Sequence, residues 1–471
     1  MNDGRSPRTG GRYRRTLAAL GALCALLPAA ACVPGTDGSG AAGTGGGAAS
    51  AVPDPAKAGE VTLTVWDQQV RGGQNAAIER LNEEFEKKYP NVTIKRVARS
   101  FNDLKKTLKL ALSGDDPPDV VQANQGYSDM VAFAHAGMLA PLDNYAGLYG
   151  WNTRFPQTLL NLNRVSADGK RFGTGRLYGV SQEGEYIGVY YDKKVLRKAG
   201  VEPPRTWREF TEALPRVKKA GQLPVQFGNL DKYPAIHTFG LLQAQAAGSA
   251  GPVRETVFGR GEGFETDATR EAARTLADWS EKGYVPGGAN GKGYDDAAKQ
   301  FADGKGAFLV TGTWQLADLR KTMGDDLGFM PPPPDSGAQP VTTGGEGLPW
   351  SVTSKSDHPE VAAAYLDFLT SSHASNVLTQ EGVLPVVPGA AADKLDPDSA
   401  VGRMVAGWRE LNDADGLVPY LDYTTPTFYD TLSADLQGVL AGDVGPDELA
   451  SRMQKSYADF RAEQRADGED R

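Results

Sequence analysis

Cysteine is nearly missing from this 471-residue sequence: Cys24 and Cys32 are the two, both near the start. Beyond position 32 the chain can form neither a disulfide nor a thiolate metal site. A chain of this size does not need such staples, because it buries enough apolar surface to hold itself together by its cores. Histidine is scarce too, and His135, His237, His358 and His373 show no metal-ligand spacing, so they read as surface or helix-face residues. The sequence also lacks a Gly-x-Ser-x-Gly elbow, a P-loop and a His-Glu-x-x-His motif. No metal and no cofactor is therefore expected. A basic excess is absent too: 50 Lys and Arg stand against 59 Asp and Glu, which argues against nucleic acid as a partner. The apolar run of residues 17–27 is shorter than the roughly 20 residues that a membrane-spanning helix needs.

What stands at the front of the chain is ordered. Arg5, Arg8, Arg12, Arg14 and Arg15 precede that apolar run, and Pro28-Ala29-Ala30-Ala31-Cys32 follows it. Basic, apolar and small-residue regions in this order make a secretory signal, here residues 1–31. Ala29-Ala30-Ala31-Cys32 resembles a bacterial lipobox, with Ala29 where that pattern prefers Leu, which points to lipidation of Cys32. Arg14-Arg15 loosely resembles a twin-arginine signal, so the export route stays open. Residues 32–59 are Gly, Ala, Ser, Thr and Pro without apolar period, and read as a flexible tether. The expected location is the outer face of the cytoplasmic membrane, held by the multiply acylated cysteine of a lipoprotein. Taking the five arginines and Asp3 of the signal from the totals leaves 45 basic against 58 acidic residues, a net charge of −13. That balance speaks for solubility.

From Glu60 the pattern alternates between strand and helix. Val61 to Trp66 is β-branched and apolar, as a buried strand requires. In 73–89 the residues Ile78, Leu81 and Phe85 share one helical face, and Pro90 stops the helix. Residues 92–97 read as the second strand. Asn102 is placed to cap a helix with the stripe Leu104, Leu108, Ala111 and Leu112, and Gly114 ends it. Asp119-Val120-Val121 opens a third strand, and a third helix is expected over about 127–136. This β-α-β-α-β-α order predicts a mainly parallel sheet with its ligand crevice beyond the carboxyl ends of the strands. A second block runs from Leu177 to about Pro334, with a capping box at Thr206-Trp207-Arg208-Glu209. In that block the strand Ala307 to Val310 follows a turn at Gly304-Lys305-Gly306. The prolines 331–334 read as a boundary. Asp357-His358-Pro359-Glu360 then predicts a capped helix over 361–369, and a final helical segment follows Pro385.

Five segments carry a resemblance: Leu63-Thr64-Val65-Trp66-Asp67, Pro117-Pro118-Asp119-Val120-Val121, Tyr178-Gly179-Val180 through Tyr190-Tyr191-Asp192, Phe301 to Trp314, and Pro349-Trp350 through Ser356. In this order the sequence resembles the extracellular solute-binding proteins of ABC importers, family 1, the sugar-binding type that includes maltodextrin-binding protein. The resemblance implies a periplasmic-binding-protein-like α/β fold: two α/β lobes with a hinge and a central ligand cleft. Chain crossings fall near 181–185, 338–343 and 381–385, giving 60–178 plus 343–382 as lobe 1 and 179–342 plus 383–471 as lobe 2. It further implies a monomer that binds a sugar or oligosaccharide by cleft closure and delivers it to ABC permease subunits.

A pyranose has C–H faces and a hydroxyl rim, so its site should combine aromatic planes with amides or carboxylates. Candidate platforms at the expected mouth are Trp66, Tyr186, Tyr233, Trp314 and Trp350, with Tyr423 and Tyr429 behind them. Candidate hydroxyl partners are Asp67, Asn124, Gln125, Glu183, Glu346 and Asp422. Trp314 and Glu183 head these sets. Trp314 follows Thr311-Gly312-Thr313, and the resemblance implies that a tryptophan at this Gly-x-Trp motif stacks on sugar. Trp207, Trp279 and Trp408 read as core. Aromatics and carboxylates would also suit a secreted glycoside hydrolase, but no carboxylate pair is singled out as acid and nucleophile, so the chain reads as no enzyme. A closer rival is another solute, a glycerol phosphate-type polyol or a peptide. Gly72-Gly73-Gln74 could offer a phosphate a helix N-terminus.

Overall fold

The computed structural model describes residues 52–332 and 338–469. The expected signal, Cys32, most of the tether, and Pro333 and Pro334 of the proline boundary lie outside them. The end of the expected tether is tied down: Pro55–Lys57 forms a short 3-10 turn, and Asn91 Nδ2 donates to the carbonyls of Pro55 and Gly59.

Two sheets organise the fold. The first has four strands in the order Trp350–Val352, Val120–Gln122, Val61–Asp67 and Val92–Ala98. The last three run parallel, as expected, and Trp350–Val352 joins antiparallel at the edge. In Val61–Asp67 the residues Val61, Leu63 and Val65 face inward under the helix Gly72–Lys88, whose Ile78, Leu81 and Phe85 are fully buried. The second sheet runs Leu417–Val418, Thr342–Glu346, Gly184–Asp192, Phe308–Gly312 and Val225–Gln226, and Leu327–Met330 also pairs with Gly184–Asp192. Gly184–Asp192 is buried along its whole length, which explains its near-continuous apolar run. Gly188 lets the Phe329 ring lie against the backbone, where a Cβ would come within 2.4 Å of it.

The passages between the sheets are paired by backbone bonds. Val180 N–H donates to Trp350 O and Trp350 N–H to Val180 O; Gly347 N–H donates to Glu183 O. Gly184 N–H donates to Leu384 O, and Val386 N–H to Gln182 O. The chain leaves the second sheet at Glu346 and enters the first at Trp350.

Three local expectations need correction. Ser100, not Asn102, caps the helix Phe101–Ser113, because the helix begins two residues earlier and the Ser100 hydroxyl accepts from Asp103 N–H. The third helix is Met130–His135, shorter than 127–136, because Tyr127 instead bonds its N–H to Tyr423 O. The helix Pro359–Leu369 starts without a side-chain cap at His358. The capping box at Thr206 does form, with Glu209 reaching back to Arg205 N–H rather than to the cap itself.

At the carboxyl end of the first strand Asp67 is fully buried and held by both arms of Arg96, at 2.7 and 2.8 Å. Arg96 Nη2 also donates to Gln69 O, so the pair fixes the turn that follows the strand. Arg96→Ala would strand a buried charge, and we expect it to cost about 3 kcal/mol or more in urea unfolding, while Asp67→Asn with Arg96 intact costs less.

Candidate functional site

Between the carboxyl end of the first sheet and the second sheet lies an inner chamber of about 70 Å³, adjoining an outer groove of about 610 Å³. Phe101 and Tyr233 line both. The first sheet and its helices supply Gln68, Arg71, Gln74, Phe101 and Asn124 to the chamber. The second half supplies Glu185, Tyr233, His237, Trp314, Tyr420, Asp422, Tyr423 and Tyr429.

The rings form a connected wall. Phe101 meets Tyr233 edge-on at 5.7 Å, Tyr233 meets His237 at 5.5 Å, and His237 meets Trp314 at 5.3 Å and Tyr420 at 4.8 Å. Trp314 stands where the strand Phe308–Gly312 turns into the 3-10 segment Thr313–Gln315. Its ring lies against Gly312, where a Cβ would come within 2.0 Å. Its Nε1 donates to Tyr294 Oη at 2.6 Å, and Tyr294 Oη meets Thr311 Oγ1 at 2.7 Å. The indole is thus held before any ligand arrives, one ring face left to the chamber wall.

Contacts cross the opening. Arg71 Nη1 pairs with Asp295 at 2.6 Å and its guanidinium lies 5.1 Å from the Tyr294 ring centre. Asn102 Nδ2 donates to Asp231 Oδ1 at 3.2 Å, and Lys105 Nζ lies 4.9 Å from the Tyr429 ring centre. Deeper in, Tyr423 Oη donates to Gln125 Oε1 at 3.0 Å. The two halves are drawn together.

Carboxyls in and behind the chamber are shifted. Burial pushes Glu185 up to about 8, with the Glu183 charge adding and Arg71 opposing. Burial raises Asp422 to about 6 against the pull of Lys105. Burial likewise lifts Glu183 to about 7, although Gln74 and Gln182 hydrogen-bond it. His237 is pushed down to about 3 by burial and is neutral near pH 7. Among the described residues no group of three His, Cys, Asp or Glu is arranged to hold a metal, and no helix is long and apolar enough to cross a membrane.

Of the residues expected at the site, the chamber gathers Asn124, Tyr233, Trp314, Asp422, Tyr423 and Tyr429. It does not gather the others. Trp66 lies under Arg99, whose guanidinium is 4.2 Å from the ring centre, and Asp67 is taken by Arg96. Gln125 sits behind the wall, bonded by Tyr423 and donating to Gly347 O. Glu183 accepts from Gln74 Nε2 at 2.7 Å and Gln182 Nε2 at 3.1 Å. Tyr186 is packed parallel to Trp408 and donates to Met404 O, Glu346 accepts from Asn163, and Trp350 is fully buried beside Tyr365. The chamber also holds Gln68, expected at the crevice beyond the first strand, and Gln74 of the Gly72-Gly73-Gln74 helix start, and it adds Arg71, Phe101, Glu185, His237 and Tyr420, which the sequence did not single out. Glu185 had a signal: it lies two residues after Glu183, the spacing that returns to the same face in extended chain.

Comparison with known proteins gives one family: the model described as bacterial extracellular solute-binding protein matches residues 71–375. The chain is 26% identical over 437 residues to the diacetylchitobiose binding protein of Streptomyces coelicolor, covering 87% of this chain and 93% of that protein. It is 22% identical over 346 residues to the multiple sugar-binding protein of Streptococcus mutans, covering 72% and 79%. Among solved structures, a chitin oligosaccharide binding protein superposes with a TM-score of 0.70 at 23% identity, over 86% of this chain and 99% of that one.

The raised carboxyls make a pH prediction. The folded chain keeps protons that the unfolded chain has lost between the ordinary value near 4.5 and about 8, so stability falls as pH rises through that window. Glu185→Gln removes one such group. By scanning calorimetry its melting temperature should fall less steeply between about pH 5 and about pH 8, and should exceed the parent's at the upper end.

Proposed function

Since the chain belongs to the bacterial extracellular solute-binding proteins, we propose that it is the sugar-capturing component of an ABC importer, closing its two lobes over a sugar or oligosaccharide and handing it unaltered to the permease. One observation carries this reading: a wall of aromatic rings, Trp314 foremost, faces Asn124, Gln68, Gln74, Glu185 and Asp422 across one chamber. Rings cover the apolar faces of a pyranose, and planar amides and carboxylates bond its rim. The adjoining groove gives an oligomer room to extend. Closure hinges on the three paired crossings near 180–184, 347–350 and 384–386. A lipid on Cys32 holding a monomer at the outer face of the membrane completes the proposal.

The family and the structural neighbours are binding proteins rather than enzymes. A phosphorylated solute fits less well. The helix N-terminus at Gly72 has Asp318 as its partner, Arg71 is paired with Asp295, and the Asp422 carboxylate would repel an anion from the chamber.

A thermal-shift screen over saccharides tests the reading, because a ligand that binds the folded state alone raises the melting temperature with its concentration. Trp314→Ala should abolish the saccharide-dependent shift while leaving a cooperative unfolding transition. An unchanged dose response in that variant removes Trp314 from the site.

A further inference from the structure

Resting on the sugar reading, the geometry points to a cationic ligand for the inner chamber: a sugar unit bearing a free ammonium, held by the Glu185 and Asp422 carboxylates inside the aromatic wall. Glu185 is 6% exposed, lines the chamber, and among the described residues has no hydrogen-bond or ion-pair partner. That distinguishes it from the other buried acids. Asp67 has Arg96, Glu183 has two amides, and Glu346 has Asn163. A carboxylate left alone in an apolar surround is costly and calls for a partner. A second buried polar group faces the same space: the Tyr420 hydroxyl, 5% exposed, has no hydrogen-bond partner either.

The one cation of the lining is Arg71, and it is committed to Asp295. His237 is neutral near pH 7. Asp422 has Lys105 nearby to draw on, whereas Glu185 has only the Arg71 that is already paired with Asp295, and burial keeps its carboxyl largely protonated near pH 7 until a cation arrives. The surrounding rings of Trp314, Tyr233, Phe101, Tyr420 and Tyr423 add their own preference, since aromatic faces attract an ammonium. A hydroxyl would satisfy one carboxylate oxygen, whereas an ammonium has three donors and a charge to set against both acids. Glu185 is surrounded by Glu183, which immediately precedes its strand, Arg71 at the N-cap of the helix Gly72–Lys88, and Tyr420 and Tyr423 from the turn around Leu421–Tyr423. An incoming cation draws that carboxyl into its charged form, so binding releases a proton.

The test uses isothermal titration of the folded protein with matched saccharides that differ only at C2: hydroxyl, ammonium or acetamide, as monosaccharides and as short oligomers. We expect the ammonium member of a matched set to bind at least about tenfold tighter than its neutral counterparts. Its heat should also vary with buffer ionisation enthalpy by the amount one released proton requires. Glu185→Gln, checked for an intact melting transition, should erase that preference by bringing the affinity for the ammonium member down to that of its neutral counterparts, and Asp422→Asn should weaken it. The inference is overturned if neutral members bind as tightly, or if Glu185→Gln keeps the ammonium preference. If no saccharide of any charge binds, the sugar reading itself falls, and this inference with it.

Discussion

The two sheets are joined by three short crossings bonded to one another through their backbones, and everything the chamber does depends on that joint. Val180 with Trp350, Glu183 with Gly347, and Gly184 with Leu384 are the links. Each is a main-chain bond, so the joint can bend without exchanging side-chain partners. Two side chains reinforce it from the first half: Gln74 reaches Glu183, and Gln125 reaches Gly347 O. Glu183, the acid at the joint, is thereby fixed in place, and Glu185, two residues further on, is left facing the chamber.

The chamber sets two costs against each other. Ring packing such as Phe101 on Tyr233 and His237 between Trp314 and Tyr420 is made within the protein alone and needs no ligand. The buried carboxyls oppose it, because each is less comfortable charged here than in water. A ligand that answers the acids while accepting the rings relieves the second cost and keeps the first gain. This is the physical meaning of a preorganised site: the scaffold holds groups where they are unsatisfied until the right molecule comes.

Much of the fold was legible because its signals are local. The stripe Ile78, Leu81 and Phe85, the proline stop after the first helix, and the β-branched run from Val61 all report on one element at a time. Trp314, which ends a strand at a Gly-x-Trp turn, and Asp422 were both expected at the mouth, and both line the chamber. Trp66 and Asp67 also end a strand, yet the pleat turns Asp67 inward, where Arg96 of the neighbouring strand takes it. No local pattern announces that pairing. Glu183 and Glu185 flank the first residue of a strand buried throughout, so periodicity cannot say which of them meets the chamber and which meets Gln74. His237 and Tyr420 are more remote still, since their place is decided by how helix Tyr233–Ala247 packs on the turn at Leu421–Tyr423.

The link between Arg71 and Asp295 has a consequence of another kind. The aspartate side chain is 74% exposed while the guanidinium is largely covered, so this contact across the opening is half in the medium and half out of it. Mobile ions reach it: at physiological ionic strength the screening length is about 8 Å, and it shortens as salt is added. Ring contacts deeper in feel no such screening. The resting gap between the two halves therefore answers to the saltiness of the surroundings, with the outer edge loosening in brine while the inner wall stays packed.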